Sequence, residues 1–133
     1  MVRPPAEVAP TVGLAFDREE ALDNLGGDEA LLAEVLGLFL DDAPRLLREI
    51  SEAIEAGDPT TLRRLAHTMA GVSGNFAAPD VIATARRLEA MGKAGDLAGA
   101  ADAQAALGRD FDAFGAAVIA SGLLADRGRV RAP

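Results

Sequence analysis

Leu62-Arg63-Arg64-Leu65-Ala66-His67-Thr68-Met69-Ala70-Gly71-Val72-Ser73-Gly74-Asn75-Phe76 carries the pattern on which the fold class turns. Leu62, Leu65, Ala66, Met69, Val72 and Phe76 recur at intervals of three and four, so they form one apolar stripe of a helix. At about 100° per residue, His67 points roughly opposite the centre of that stripe. The same outward face carries Thr60, Arg63, Arg64, Ala70, Gly71 and Gly74. An exposed imidazole is expected, with arginines one turn before it and little side-chain bulk one turn after. Such a face offers a nucleophile to another protein.

Outward from this segment, the chain reads as further helices. Asp58-Pro59 starts the His67 helix, the aspartate as cap and the proline at the first helical position, where its missing N–H costs nothing. Upstream, a segment from about 29 to 56 buries Leu32, Val35, Leu36, Phe39, Leu46, Leu47, Ile50 and Ile54, and Pro44 predicts a kink or a break near Asp42. A short leading helix covers about 17 to 24, with Asp17 as cap and Glu20 as its capping-box partner. Gly26-Gly27 ends it and Asp28 caps the next. Downstream, Pro79 opens a helix with the stripe Val81, Ile82, Ala85, Leu88 and Met91, closed by Gly92 and Gly95. Asp96 is the expected cap of a last helix bearing Leu97, Ala100, Leu107, Phe111, Phe114 and Val118. Ser73 falls towards the buried edge, in a packing or local hydrogen-bonding role. The fold class is all-α, an antiparallel up-and-down four-helix bundle with a short additional N-terminal helix. The domain is expected over residues 16–122, between Pro-containing tails at 1–15 and 123–133.

The 133 residues fit one domain. Thirteen Lys+Arg against twenty-one Asp+Glu give a net charge of −8, which argues against nucleic acid as a partner. The absence of cysteine excludes disulfides and thiolate metal sites. A single histidine excludes a His-rich metal cage. The apolar run Leu31 to Leu40, interrupted by Glu34, is shorter than the roughly 20 residues a bilayer requires. With no secretion signal in the opening residues either, a cytoplasmic, monomeric domain without direct membrane insertion is expected.

An exposed histidine alone is most often a solvated surface residue. The neighbours of His67 argue for more. Gly71 and Gly74 face solvent, where glycine costs a helix about 1 kcal/mol relative to alanine and tight core packing offers no compensation. Close approach of a partner does. Arg63 and Arg64, one turn before His67, are placed to neutralise a phosphoryl group on the ring, although charged residues also commonly solvate such a face. Gly92-Lys93 lacks the following Ser/Thr of a phosphate-binding loop. No acidic residue shares the immediate outward face of His67, so a hydrolase-type triad and a local Mg²⁺ site find no support there.

The run from His67 to Ala78 closely resembles the signature of the histidine-containing phosphotransfer (HPt) domain family. The flanks Gly26-Gly27-Asp28, Glu55-Ala56-Gly57-Asp58 and Arg87-Leu88-Glu89 ahead of Ala94-Gly95-Asp96 agree, and the likeness covers about residues 16 to 120. The resemblance implies that His67 is the phosphoacceptor and Gly71 the clearance residue beneath it. Arg63, Arg64 and Ala70 would neighbour the phosphoryl group, and Thr60, Gly71, Gly74 and Ala78 would form the docking surface. It implies response-regulator receiver domains as partners, alongside a hybrid sensor histidine kinase. No cofactor or metal is expected in the domain itself, Mg²⁺ being supplied by the receiver. Two positions depart from the pattern: Ala70 stands where the family commonly has lysine, and Ala77 where it has a glycine. The expected function is a phosphohistidine carrier without a nucleotide site, freestanding or part of a hybrid kinase. A degenerate adaptor that docks receivers without transfer, and a chemotaxis-kinase-type phosphoacceptor domain, are the alternatives.

Overall fold

A computed structural model describes residues 15–124, and the N- and C-terminal tails fall almost entirely outside that range. The described residues form five helices and no strand: α1 Arg18–Asn24, α2 Glu29–Glu55, α3 Pro59–Asn75, α4 Pro79–Ala94 and α5 Ala100–Ala120. Among them no helix is long and apolar enough to cross a membrane.

The starts of the first three helices follow from their aspartates. Asp17, Asp28 and Asp58 each accept the N–H three residues on, at 3.1, 3.0 and 3.1 Å. The last helix starts differently from expectation. Asp96 accepts from the Ala98 N–H at 3.0 Å in a turn, and α5 begins only at Ala100, after Gly99 with φ of 83°. Leu97 therefore precedes the helix and packs against the core from the loop.

Of the kink or break expected near Asp42, the break does not occur, because α2 runs through Pro44 for 27 residues. Proline removes one hydrogen bond, but Phe39 and Ala43 before it and Ile50 after it are buried, and packing holds the helix together.

Each long helix packs against its chain neighbours, and α5 closes back on α2. The pair α3–α4 is by far the most extensive. All five phenylalanines join one cluster: Phe39 lies 5.3 Å from Phe76, 5.8 Å from Phe111 and 5.9 Å from Phe114, and Phe16 lies 5.6 Å from Phe114. Leu123 is buried and Leu124 packs against the core, so the chain stays attached past the end of α5.

The α3–α4 turn is pinned by an unusual backbone. Ala77 has φ of 52°, the left-handed region that Gly57 supplies at the end of α2 with φ of 64°. The family-pattern glycine is thus replaced where its freedom would be used. The conformation persists because Ala77 and Ala78 donate to Gly74 and Ser73 carbonyls, while the Ala77 carbonyl accepts from Asp17 N–H at 3.0 Å. Ser73 itself is fully buried, its hydroxyl 3.6 Å from the Met69 sulfur.

Candidate functional site

The site is built where α3 meets α4. Asp58 fixes the start of α3 by accepting the Thr61 hydroxyl at 2.6 Å and its N–H at 3.1 Å, and these bonds hold its carboxyl below the usual range. Two turns on, the imidazole of His67 is 68% exposed, as the stripe requires. Its Nδ1 lies 2.7 Å from Oε2 of Glu89 on α4. The other oxygen of Glu89 accepts from Arg86 Nη1 at 3.0 Å.

This carboxylate is only 23% exposed, yet its pKa is lowered. The hydrogen bond with His67 is the main cause, opposed by partial burial and reinforced by Arg86. Glu89 is therefore ionised at neutral pH and can only accept. The proton on the shared edge belongs to Nδ1, and the lone pair of a neutral ring is left on Nε2 of this largely exposed side chain. The arrangement holds an imidazole by one nitrogen and presents the other.

Thr60, Arg63, Arg64, His67, Thr68 and Glu89 line an open depression of about 420 Å³ beside the ring. Arg63 and Arg64 are exposed and form no ion pair with another described residue. Thr68 is committed to the Arg64 carbonyl at 3.1 Å, and no hydroxyl among the described residues hydrogen-bonds His67. A hydrolase-type triad is thus incomplete.

The sequence-derived residues divide. Thr60, Arg63, Arg64, His67 and Gly71 are exposed on one side of α3. A Cβ at Gly71 or Gly74 would meet nothing within 4 Å. Gly74 is half-covered, because the Asn24 amide reaches its carbonyl and that of Asn75, at 3.5 and 3.3 Å. Two expectations are corrected. Ala70 is 1% exposed and Ala78 is fully buried, so neither belongs to an open face. Ala70 lies only about 60° around the helix from His67, but a lone methyl at the edge of the close α3–α4 packing is covered by it. Ala78 is the residue from which α4 departs, tied to Ser73 through its backbone.

Glu89 is what the sequence reading missed, while Arg86, which that reading placed within reach of the phosphoryl group as a substitute for the missing lysine, is bonded to this carboxylate instead. The carboxylate absent from the face of α3 comes from the neighbouring helix. The available signal was an acid immediately after the buried Leu88, at the border of the α4 stripe; its pairing with His67 depends on helix azimuth.

The lowered Glu89 pKa gives a pH dependence. Stability from this carboxylate is fully present above the ordinary glutamate value of about 4.3 and is lost as pH falls through the lower folded value. Denaturant melts of wild type and Glu89→Gln are expected to differ at about pH 5 and above and to converge in stronger acid. A gap that widens on acidification contradicts this account.

The Hpt domain family model matches residues 34–117, a span that contains His67, Glu89 and the whole of α3 and α4. No curated protein and no solved structure matches the chain. With more than half of its residues in that match, the chain belongs to the Hpt domain family, whose members act in histidine phosphotransfer in phosphorelays.

Proposed function

We propose that this chain is a phosphorelay intermediate in which His67 takes a phosphoryl group from the aspartyl phosphate of one receiver domain and passes it to another. The observation that carries the reading is the His67–Glu89 contact at 2.7 Å on an otherwise open ring. In the step, the Nε2 lone pair attacks phosphorus in line as the bond to the aspartyl oxygen breaks, and the aspartate leaves as a free carboxylate. Nδ1 keeps its proton, so positive charge develops on the ring, and Glu89 stabilises that charge more strongly as the N–P bond forms. The second receiver's aspartate reverses these changes. Alignment and charge neutralisation carry such a loose transition state, and the divalent cation belongs to the receiver. Arg63 and Arg64 border the space into which the phosphoryl group would extend.

The adaptor reading drew on Ala70. Its burial removes the picture of a bare surface site that lost its cation, and an adaptor has no use for a carboxylate on Nδ1. The docking surface we assign is Thr60, Gly71 and the exposed edge of Gly74. An apolar groove lined in part by Leu38, Leu46, Val72 and Phe76 reaches it at Thr68, with Leu38 57% exposed. The antiparallel up-and-down arrangement is part of this proposal, supported by the way each long helix packs on its chain neighbours. A cytoplasmic setting is also proposed, as the place where the receivers and kinase modules of such relays meet.

Incubation with a phosphorylated receiver tests the function. Wild type is expected to gain acid-labile, base-stable label and to release it to a second receiver. No label under conditions where the same receiver phosphorylates another Hpt domain favours the adaptor.

Gly71→Gln separates docking from folding. The added side chain projects into open space, and a helix-forming residue replaces glycine, so stability is expected to rise by about 0.5 kcal/mol. Transfer is expected to slow at the same time, because the side chain occupies the approach path. Unchanged transfer in a stopped-flow or gel assay leaves this glycine unexplained.

A further inference from the structure

Gly92 has a role that a helix terminator does not have. It was expected to close α4 together with Gly95, yet Gly95, with φ of 74°, makes the stop, while Gly92 is buried inside the helix. A Cβ at position 92 would lie 2.7 Å from the backbone N of Arg63, 2.7 Å from the Pro59 carbonyl oxygen and 2.8 Å from Arg63 Cβ. Ordinary contact begins at 3.4 Å, and two of these three obstacles are main chain of α3, which no rotamer change moves. From this crossing, His67 lies four residues along α3 from Arg63 and Glu89 three residues back along α4 from Gly92. Each is therefore about one helical turn away, and on the same side of the contact.

We infer that Gly92 is a positioning residue for the phosphoacceptor: its bare α-carbon against the backbone of Pro59 and Arg63 sets the α3–α4 spacing at which Glu89 reaches Nδ1 of His67. Helix axes ordinarily pack 8–10 Å apart, and contact without a Cβ lies at the tight end of that range. Separation by the several tenths of an ångström that a methyl demands takes a 2.7 Å hydrogen bond towards or past the usual limit of about 3.2 Å. Glu89 cannot simply follow, because its second oxygen is held by Arg86 from its own helix. The word phosphoacceptor rests on the function proposed above; the geometry, and its test, do not.

The single histidine makes the test direct. The full chain is labelled with ¹⁵N-histidine, and long-range ¹H–¹⁵N correlations at mildly alkaline pH report which ring nitrogen carries the proton. Wild type is expected to show Nδ1–H. Gly92→Ala is expected to shift the ring towards the Nε2–H form, as Glu89→Ala does. Val118→Ala, a core substitution near the end of α5, is expected to lower stability and leave the wild-type signature in place. If Gly92→Ala does not fold, Glu89→Asp decides, since it keeps the charge on a partly exposed site but shortens the reach by one methylene. Loss of the Nδ1–H signature there supports spacing as the limiting quantity. A wild-type signature in folded Gly92→Ala or in Glu89→Asp overturns the inference, and so does its loss in Val118→Ala. No receiver enters the measurement, so a chain that fails to take a phosphoryl group still answers this question.

Discussion

His67→Gln is expected to take up no label from a phosphorylated receiver, against full labelling of the wild type. The chain has one imidazole, and its unprotonated nitrogen is the nucleophile in the proposed step. An amide nitrogen has its lone pair delocalised into the carbonyl and does not attack an acyl phosphate. The substitution leaves the fold alone: the ring is 68% exposed, and glutamine is a good helix former that can still donate to Glu89. Thermal or urea unfolding is expected to agree with wild type within about 0.5 kcal/mol. Label that persists on the folded variant would place the acceptor on another side chain and end the assignment of His67.

Glu89→Ala is expected to lower the single-turnover transfer rate about 10- to 100-fold, the usual size of effect when the partner that orients a functional histidine is removed. Two contributions act together. Without the carboxylate the ring distributes its proton between both nitrogens, so Nε2 is less often the free one. The positive charge that develops during attack then meets only solvent, with Arg86 left nearby and unpaired. Affinity for the receiver is expected to change little, because the Glu89 side chain is only 23% exposed and lies outside the docking surface assigned to Thr60, Gly71 and Gly74. The signature is therefore a reduced maximal rate at unchanged half-saturation. A rate within about twofold of wild type would reduce the carboxylate to a solvated companion of the ring.

Much of the fold was legible because helix formation is local. The aspartate caps at 17, 28 and 58, the stop at Gly95 and the stripe of α3 each depend on residues within a turn or two. The local rules failed where packing outweighed them. Pro44 allowed a kink or a break, and the buried residues on both sides of it kept α2 continuous. Asp96 resembled a cap, and Gly99 in the left-handed region took the helix start instead. Gly92 resembled a stop, and the answer was the backbone of a different helix.

The candidate site divides along the same line. Order along the chain was enough to settle that residues 59–75 form a helix, that its apolar side hides Leu62, Leu65, Ala66 and Met69, and that His67 stands clear of them beside Gly71. Periodicity specifies angles around one axis, and all of these are angles around one axis. The distance from Nδ1 to Glu89, the covering of Ala70 and Ala78, and the contact at Gly92 are relations between two axes. They arose when α3 and α4 found the separation at which their side chains interlock, a quantity to which residues far apart in the chain contribute together. That is why the exposed histidine could be read in advance, and the carboxylate beside it could not.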